Sequence, residues 1–366
     1  MQLLELFKYM ITCKSQTPDD GGLLDFVQNY LSDFTAVRID VKDVKNLFIF
    51  KKFGEGEHLC FAGHVDVVPA GSEGWLSNPY EAVEKEGYIY GRGTQDMKSG
   101  VAAFVQALSE VKKFKGTLSI LLTSDEEGDA LYGTVEVLKQ LEKEGKLPDY
   151  AVVAEPTCEE NFGDAIKVGR RGSINGFLTI KGKQGHAAYP EKGINPIHLV
   201  APRLANMAGV DLDNGDEFFS PSKFVITDIR AGMQVTNVTP NELKIMFNVR
   251  NTTLTTQKEV AAFVAKNLDG LDYELELTQG SYPFKTDTDT KIVRNIDAAI
   301  KKVTGLRPKH STAGGTSDAR FMAPLGIKVI EFGVRNDTIH SVNERVSIKE
   351  VQELYEVFKN LLAEWN

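Results

Sequence analysis

LCFAGHVDVVP (residues 59–69) is a strand-like run interrupted by two polar side chains. Nine of its eleven residues are apolar, glycine or proline, the pattern of a strand buried on both faces of a sheet. Successive strand side chains alternate faces, so His64 and Asp66, two positions apart, point the same way. A strand buried on both faces belongs to a sheet covered by helices on both sides, and the flanking sequence supplies them.

Segments with helical spacing, 21–34, 98–114 and 132–146, alternate with strand-like runs at 46–54, 58–68, 117–127 and 149–157. This βαβ rhythm predicts an α/β domain with a mostly parallel sheet. The rhythm changes near GRRGS (169–173). From there the order is strand, helix (195–207), two strands, helix (256–268) and strand (272–280), the β-α-β-β-α-β arrangement of a ferredoxin-like unit. Alternation resumes after SYPF, with a helix at 291–303, a strand at 326–333 and a last helix at 348–364. The expected organisation is one α/β domain, residues 1–168 and 282–366, carrying an inserted ferredoxin-like module at 169–281.

Bulk properties narrow the function classes. At 366 residues the chain exceeds the usual size of a single core, in keeping with two domains. With 42% hydrophobic and 25% charged residues, its composition is that of a globular protein. A net charge of −9 argues against nucleic acid as a partner. No apolar run is long enough to span a membrane. The start, MQLLELFKYMITCK, reads as an amphipathic helix without a leader's features, so no membrane association and a cytoplasmic location are expected. Cys13, Cys60 and Cys158 are odd in number and widely spaced, which disfavours a disulfide framework or a thiolate metal site. Cys60 reads as a buried, inert thiol.

Ligand sites in open α/β sheets form at the carboxyl ends of strands. His64 and Asp66 close one strand, Glu126 and Glu127 close TLSILLTSDEE, and Glu155 closes DYAVVAEPT. Asp96 lies in YGRGTQDMKSG before a helix, and His340 follows GIKVIEFGVRNDTIH. Imidazoles and carboxylates without sulfur fit one or two divalent cations of zinc type. Taken singly, each residue also has a plainer role: Asp96 as a helix N-cap, Asp-Glu-Glu as a solvated turn, a histidine as a hydrogen-bonded structural residue. The GRG of YGRGTQD lacks the spacing of a dinucleotide loop, which counts against a nicotinamide-dependent dehydrogenase. A binding protein keeping the fold without the chemistry is disfavoured by the complete set of acids and imidazoles.

AGHVDVVP, YGRGTQDMKSG, TSDEEGDALYGT, VAEPT, KGKQGHAAYP and IHSVNE occur in an order that resembles the di-zinc amidohydrolase and exopeptidase family, which includes aminoacylase, acetylornithine deacetylase and carboxypeptidases. The resemblance covers nearly the whole chain. It implies a di-zinc hydrolase domain with the inserted module acting as lid and dimerisation domain, and therefore a homodimer. It implies that His64, Asp96 and Glu155 hold one Zn2+ and that Asp96, Glu127 and His340 hold a second, with Co2+ possible in one site and Asp96 bridging. Glu126 would be the general base, and Asp66 would accept a hydrogen bond from the far ring nitrogen of His64. His186 would stabilise the oxyanion from the partner subunit. A cis peptide between Asp96 and Met97 is also implied.

The segments GRRGSINGFLTIKGKQGHAAYPEKGINPIH, TNVTP, FNVR and STAGGTSDARF are similar to those of members acting on N-succinyl-L,L-2,6-diaminopimelate. Hydrolysis of that small molecule to succinate and L,L-2,6-diaminopimelate is therefore the expected activity. Deacylation of N-acetylornithine or another N-acyl amino acid is the alternative. Arg170 and Arg250 resemble carboxylate-binding positions, with Ser173, Tyr189, Asn237, Gly315 and Thr316 as polar or close-approach partners. Closure over substrate about joints near 168 and 282 would exclude water.

Overall fold

The segment His58–His64 forms an inner strand of an eight-stranded sheet. The computed structural model that shows this describes residues 1–365. The strand lies between Thr117–Thr123 and Tyr150–Val153, parallel to both, and Tyr150–Val153 is in turn parallel to Lys328–Glu331. These inner strands carry the apolar runs read from the sequence and are buried along nearly their whole length. The expected mostly parallel sheet is present.

Both flanks depart from it. Asn46–Lys52 joins antiparallel to Thr117–Thr123, and Thr35–Arg38 pairs antiparallel with Asn46–Lys52 through a connection too short for a parallel crossover. On the other side Ala165–Lys167 runs antiparallel to Lys328–Glu331, and Lys309–Ser311 completes the edge. Three of these flanking strands, Thr35–Arg38, Ala165–Lys167 and Lys309–Ser311, have three or four residues, too few to show a period in the sequence.

Register aligns the chemistry-bearing ends. His64 stands opposite Thr123, and Ala62 opposite Val153. The segments that leave these strands, carrying Asp66, Glu126, Glu127 and Glu155, therefore emerge side by side. Behind them the helix Ser99–Ser109 packs against Ile348–Ala363. Its sequence, SGVAAFVQALS, is apolar or small nearly all round, which suits a helix covered on every side. Phe61 meets Phe104 at 5.7 Å and Phe358 at 5.1 Å between ring centroids. Burial of each such ring contributes about 1.5–3 kcal/mol. Cys60 lies in the same core, where burial pushes its thiol up to about 12.

A second unit has the element order expected of the inserted module. Its antiparallel sheet runs Lys223–Ala231, Glu242–Arg250, Ser173–Lys181, Tyr273–Ser281, with helices Pro196–Leu204 and Gln257–Asn267. Alternate residues Ile174, Leu178 and Ile180 meet Leu243, Ile245, Phe247 and Val249 in one core, closed by Val260 and Val264 of a helix. Gly176 lies opposite Phe247, and a Cβ there would overlap the phenyl ring.

By contacts the chain divides into a first unit of Met1–Gly169, Lys285–Ser311 and the residues from Ser317 on, and a second of Arg170–Phe284 with Thr312–Thr316. The short return segment joins the second unit through specific bonds. Thr312 Oγ1 donates to the Phe218 carbonyl at 2.5 Å, and Arg170 Nη1 donates to the Ala313 carbonyl at 2.8 Å. Among the described residues no helix is long and apolar enough to cross a membrane.

Candidate metal centre

The aligned strand ends of the first unit bring five side chains into two clusters that share one carboxylate. His64, Asp96 and Glu155 form the first, and Asp96, Glu127 and His340 the second. Within each cluster the ligand-type atoms lie within 4.8 Å of one another. His64 Nε2 is 3.0 Å from Asp96 Oδ1 and 3.8 Å from Glu155 Oε1. His340 Nε2 is 3.4 Å from Asp96 Oδ2 and 2.9 Å from Glu127 Oε1. The two oxygens of Asp96 thus face different imidazoles.

Asp96 reaches this position because its segment is not a regular helix. Thr94–Lys98 is a turn in which Asp96 (φ −116°, ψ 97°) and Met97 lie outside helical geometry, and the Asp96–Met97 peptide is cis. The following helix begins at Ser99 with Lys98 in the N-cap position, so the plainer role of Asp96 as an N-cap does not apply. Nor is the Asp-Glu-Glu segment a solvated turn: Asp125 is buried, and Glu126 and Glu127 are largely covered.

Electrostatics bear the mark of crowded like charges. Burial pulls the His64 imidazole down, but its hydrogen bond to Asp96 and the charges of Glu155, Asp96 and Glu126 outweigh this and hold it well above its ordinary value. His340 is raised to about 10 by its bonds to Asp96 and Glu127. Glu155 is held well above the carboxylate range by burial and by the Asp96 charge. Glu126 is pushed up to about 8 by burial, with Asp318, Asp96 and Glu127 adding to the effect and His64 opposing it. Asp96 moves the other way: burial pushes it up, but its bonds to His340 and His64 outweigh this and hold it below the usual carboxylate range. Opposite shifts among neighbouring titratable groups mark candidate catalytic sites.

Asp66 requires a correction. Its carboxylate is not the hydrogen-bond partner of His64, standing 3.6 Å from Nδ1. The backbone carbonyl of Asp66 accepts from Nδ1 instead, at 2.9 Å. The carboxylate turns to the acid segment, accepting the backbone N–H of Glu127 at 3.1 Å and of Glu126 at 3.4 Å. Two part-buried N–H groups need an acceptor, whereas the imidazole nitrogen already has one in the Asp66 carbonyl.

Two further acids lie around the clusters and have no role in the sequence reading. Asp318, buried, accepts from Thr134 Oγ1 at 2.6 Å, and its charge acts on Glu126. Glu344, also buried, binds the turn carrying Asp96. Both lie in segments that carry the resemblance, and their only sequence signal is an acid beside buried neighbours.

The remaining sequence-derived residues lie in the second unit. Arg170 is buried, and Gly314 (φ 105°) admits its guanidinium where a Cβ would collide with it. Ser173 Oγ accepts from Asn248 Nδ2 at 2.9 Å. His186 is exposed on the short strand Gly185–His186, paired with Val238–Thr239, and its ring is 5.8 Å from that of Tyr189. The Asn237 carbonyl accepts the Ala187 N–H at 2.9 Å. Arg250 and Gly315 are exposed, and Thr316 is half-buried.

The donor set fits divalent cations. Each cluster offers one imidazole nitrogen and two carboxylates, the nitrogen–oxygen set of catalytic zinc-type sites with room for a further ligand. Both ring nitrogens of His64 face oxygen acceptors, so a cation in place of the Nε2 proton would keep every other bond of the ring.

The model of peptidase family M20/M25/M40 matches residues 60–364. The chain is 75% identical over 365 residues, covering all of both sequences, to a succinyl-diaminopimelate desuccinylase of Sulfurimonas denitrificans. Its fold is similar to that of aminopeptidase PepT from Bacillus cereus, with a TM-score of 0.82, 22% identity and coverage of 99% and 98% of the two chains. It is also similar to an M20 family metallo-carboxypeptidase from Sulfolobus solfataricus, with a TM-score of 0.78, 15% identity and coverage of 100% and 99%.

Proposed function

This chain belongs to peptidase family M20/M25/M40, and on that premise we propose that it hydrolyses N-succinyl-L,L-2,6-diaminopimelate to succinate and L,L-2,6-diaminopimelate. It is a hydrolase of a metal-dependent family. The reaction class is carried by one observation: Asp96 joins two three-ligand clusters, and the raised carboxyl of Glu126 lies within range of their charges.

His64, Asp96 and Glu155 would hold one cation, and Asp96, Glu127 and His340 the other, with Zn2+ the natural occupant of both and Co2+ admissible in one. When bound, such a pair would polarise the amide carbonyl as a Lewis acid and would lower the pKa of water from about 16 toward about 7. Glu126 takes a proton from the attacking water as its oxygen bonds to the carbonyl carbon. It delivers that proton to the leaving nitrogen as the C–N bond breaks, and the remaining proton of the new carboxyl group passes to the amine, giving a carboxylate and an ammonium group. A carboxyl with a pKa raised toward neutrality suits both halves of this transfer. Asp66 holds the backbone of Glu126 and Glu127 in place during it.

The substrate bears several carboxylates. Arg170 and Arg250 are the cationic partners we assign to them, with Ser173, Tyr189, Asn237, Gly315 and Thr316 as neutral ones. His186 is the oxyanion donor, supplied in trans by the second subunit of a cytoplasmic homodimer. The deciding experiment is a turnover assay of the purified, zinc-loaded protein. Turnover of N-succinyl-L,L-2,6-diaminopimelate at least 10-fold above that of N-acetylornithine supports the reading, since a site built for a substrate's polar groups rejects analogues lacking them by factors well beyond about 10. Brisk deacetylation of N-acetylornithine with no desuccinylation overturns it.

A further inference from the structure

Glu344 carries a fully buried carboxylate that takes no part in the proton transfer described above. Its Oε1 accepts the backbone N–H of Gln95 at 2.8 Å and of Asp96 at 3.2 Å. Its Oε2 accepts the backbone N–H of Gly93 at 2.9 Å and Arg92 Nη1 at 2.7 Å. Four donors, three of them from the turn that presents Asp96, thus converge on one side chain.

Chain pairing puts Glu344 there. The strand Arg345–Ser347 runs antiparallel to Tyr88–Tyr90, with Arg345 opposite Tyr90, and the Gly91 N–H donates to the Glu344 carbonyl at 2.9 Å. The irregular segment that leads into this strand presents His340, four residues before Glu344. Its strain is visible in the positive φ of two non-glycine residues, His340 (58°) and Asn343 (61°). Further bonds tie the two segments together. Gln95 Nε2 donates to Asp337 Oδ1 at 2.6 Å, and Gln95 Oε1 accepts the Thr338 N–H at 2.9 Å.

The need for such a carboxylate is set by the turn itself. Gly93, Gln95 and Asp96 stand at the start of the turn Thr94–Lys98, where N–H groups have no intrahelical carbonyl before them. Without Glu344 they would be buried and unpaired, and the turn would relax to satisfy them.

We propose that Glu344 is a positioning residue for Asp96, holding the shared carboxylate at the separation from His340 that lets both clusters close on their cations at once. The inference rests on the metal reading of the two clusters. Glu344 acts through Asp96 and touches neither substrate nor water in the reaction.

The test uses the full-length protein stripped of metal and retitrated with cobalt(II), comparing the parent with Glu344→Gln. Glutamine keeps the size but turns an NH2 group toward one of the two donor pairs, so two donors face a donor. The measurements are cobalt(II) affinity and stoichiometry, the visible d–d absorption, kcat and KM, and the melting temperature without metal. The expected result is a first equivalent bound as in the parent, a second weakened by roughly 10–100-fold, and an altered absorption band. On the activity side kcat falls and KM is retained. Glu344→Asp, which keeps the charge but withdraws it by one methylene, should recover part of the second-site affinity. The inference is overturned if Glu344→Gln binds both equivalents with the parent's affinity and spectrum. It is equally overturned if both sites weaken only in step with a fall in the metal-free melting temperature, which would make Glu344 a fold-stabilising residue. A parent protein that takes up no cobalt(II) overturns the proposed function and this inference together. Normal uptake by the parent with an unaffected Glu344→Gln variant overturns this inference alone.

Discussion

The Asp66 carboxylate accepts the backbone N–H of Glu127 at 3.1 Å, joining the end of one strand to the acid segment that follows its neighbour. The backbone carbonyl of the same residue accepts from His64 Nδ1 at 2.9 Å. One residue therefore serves two segments, with its main chain orienting the imidazole and its side chain holding the acids.

This division makes a prediction for Asp66→Asn. The His64 contact is to the main chain and survives the substitution, so metal content per chain should stay at the parent value. Loosening of the Glu126–Glu127 segment should lower kcat by roughly 10–100-fold. His64→Ala, by contrast, removes a ligand atom and should cost one metal per chain. Elemental analysis beside steady-state kinetics separates the two, and loss of metal from Asp66→Asn would show that its carboxylate supports the imidazole after all.

Glu126→Gln should retain metal and lose turnover. The amide has nearly the same shape but cannot accept a proton from water, and general-base catalysis is worth about 10²–10⁴-fold. Activity within a factor of about 10 of the parent would remove Glu126 from the role of base.

Subunit sharing can be tested with mixed dimers. His186→Ala alone should lower kcat by about 10²–10³-fold, the usual effect of deleting one oxyanion donor. Co-refolding inactive His186→Ala chains with inactive Glu126→Gln chains should restore activity if His186 acts in trans, because one site of each hybrid then has both groups intact. A mixture as inactive as its parts places His186 in the service of its own chain.

His58 predicts a pH effect remote from the metal centre. Its Nε2 lies 2.7 Å from Ser119 Oγ, and burial pulls its pKa from 6.5 to about 4, with the Asp149 charge partly opposing. Between these values the unfolded chain binds a proton that the folded chain does not. Its contribution to stability is therefore complete above pH 6.5 and declines as the pH falls toward 4. The full effect is about 3 kcal/mol. Urea denaturation of the parent and of His58→Gln across this range should give a stability difference that shrinks with acidity. A pH-independent difference would assign the burial effect elsewhere.

Much of the fold was legible because it is written locally. Period-2 and period-3.6 patterns span whole elements, so the inner strands, the long helices and the β-α-β-β-α-β order of the second unit could be read directly. The short flanking strands could not, since Ala165–Lys167 and Lys309–Ser311 each have three residues and owe their conformation to their neighbours in the sheet. The grouping of Thr312–Thr316 with the second unit was equally hidden, because it depends on where Arg170 and Phe218 happen to stand.

The site divides in the same way. The sequence by itself marked His64, Glu126, Glu127 and Glu155 as strand-end residues, because a polar side chain closing an apolar strand is carried to the open end of the sheet. Only the tertiary structure decided what each carboxylate holds. Asp66 turned from His64 to the backbone of Glu126 and Glu127, and Glu344, 248 residues from Asp96 along the chain, became the acceptor for its turn. Hydrogen bonds of that kind follow from strand register and from unpaired N–H groups at irregular turns, neither of which leaves a periodic trace in the amino-acid order.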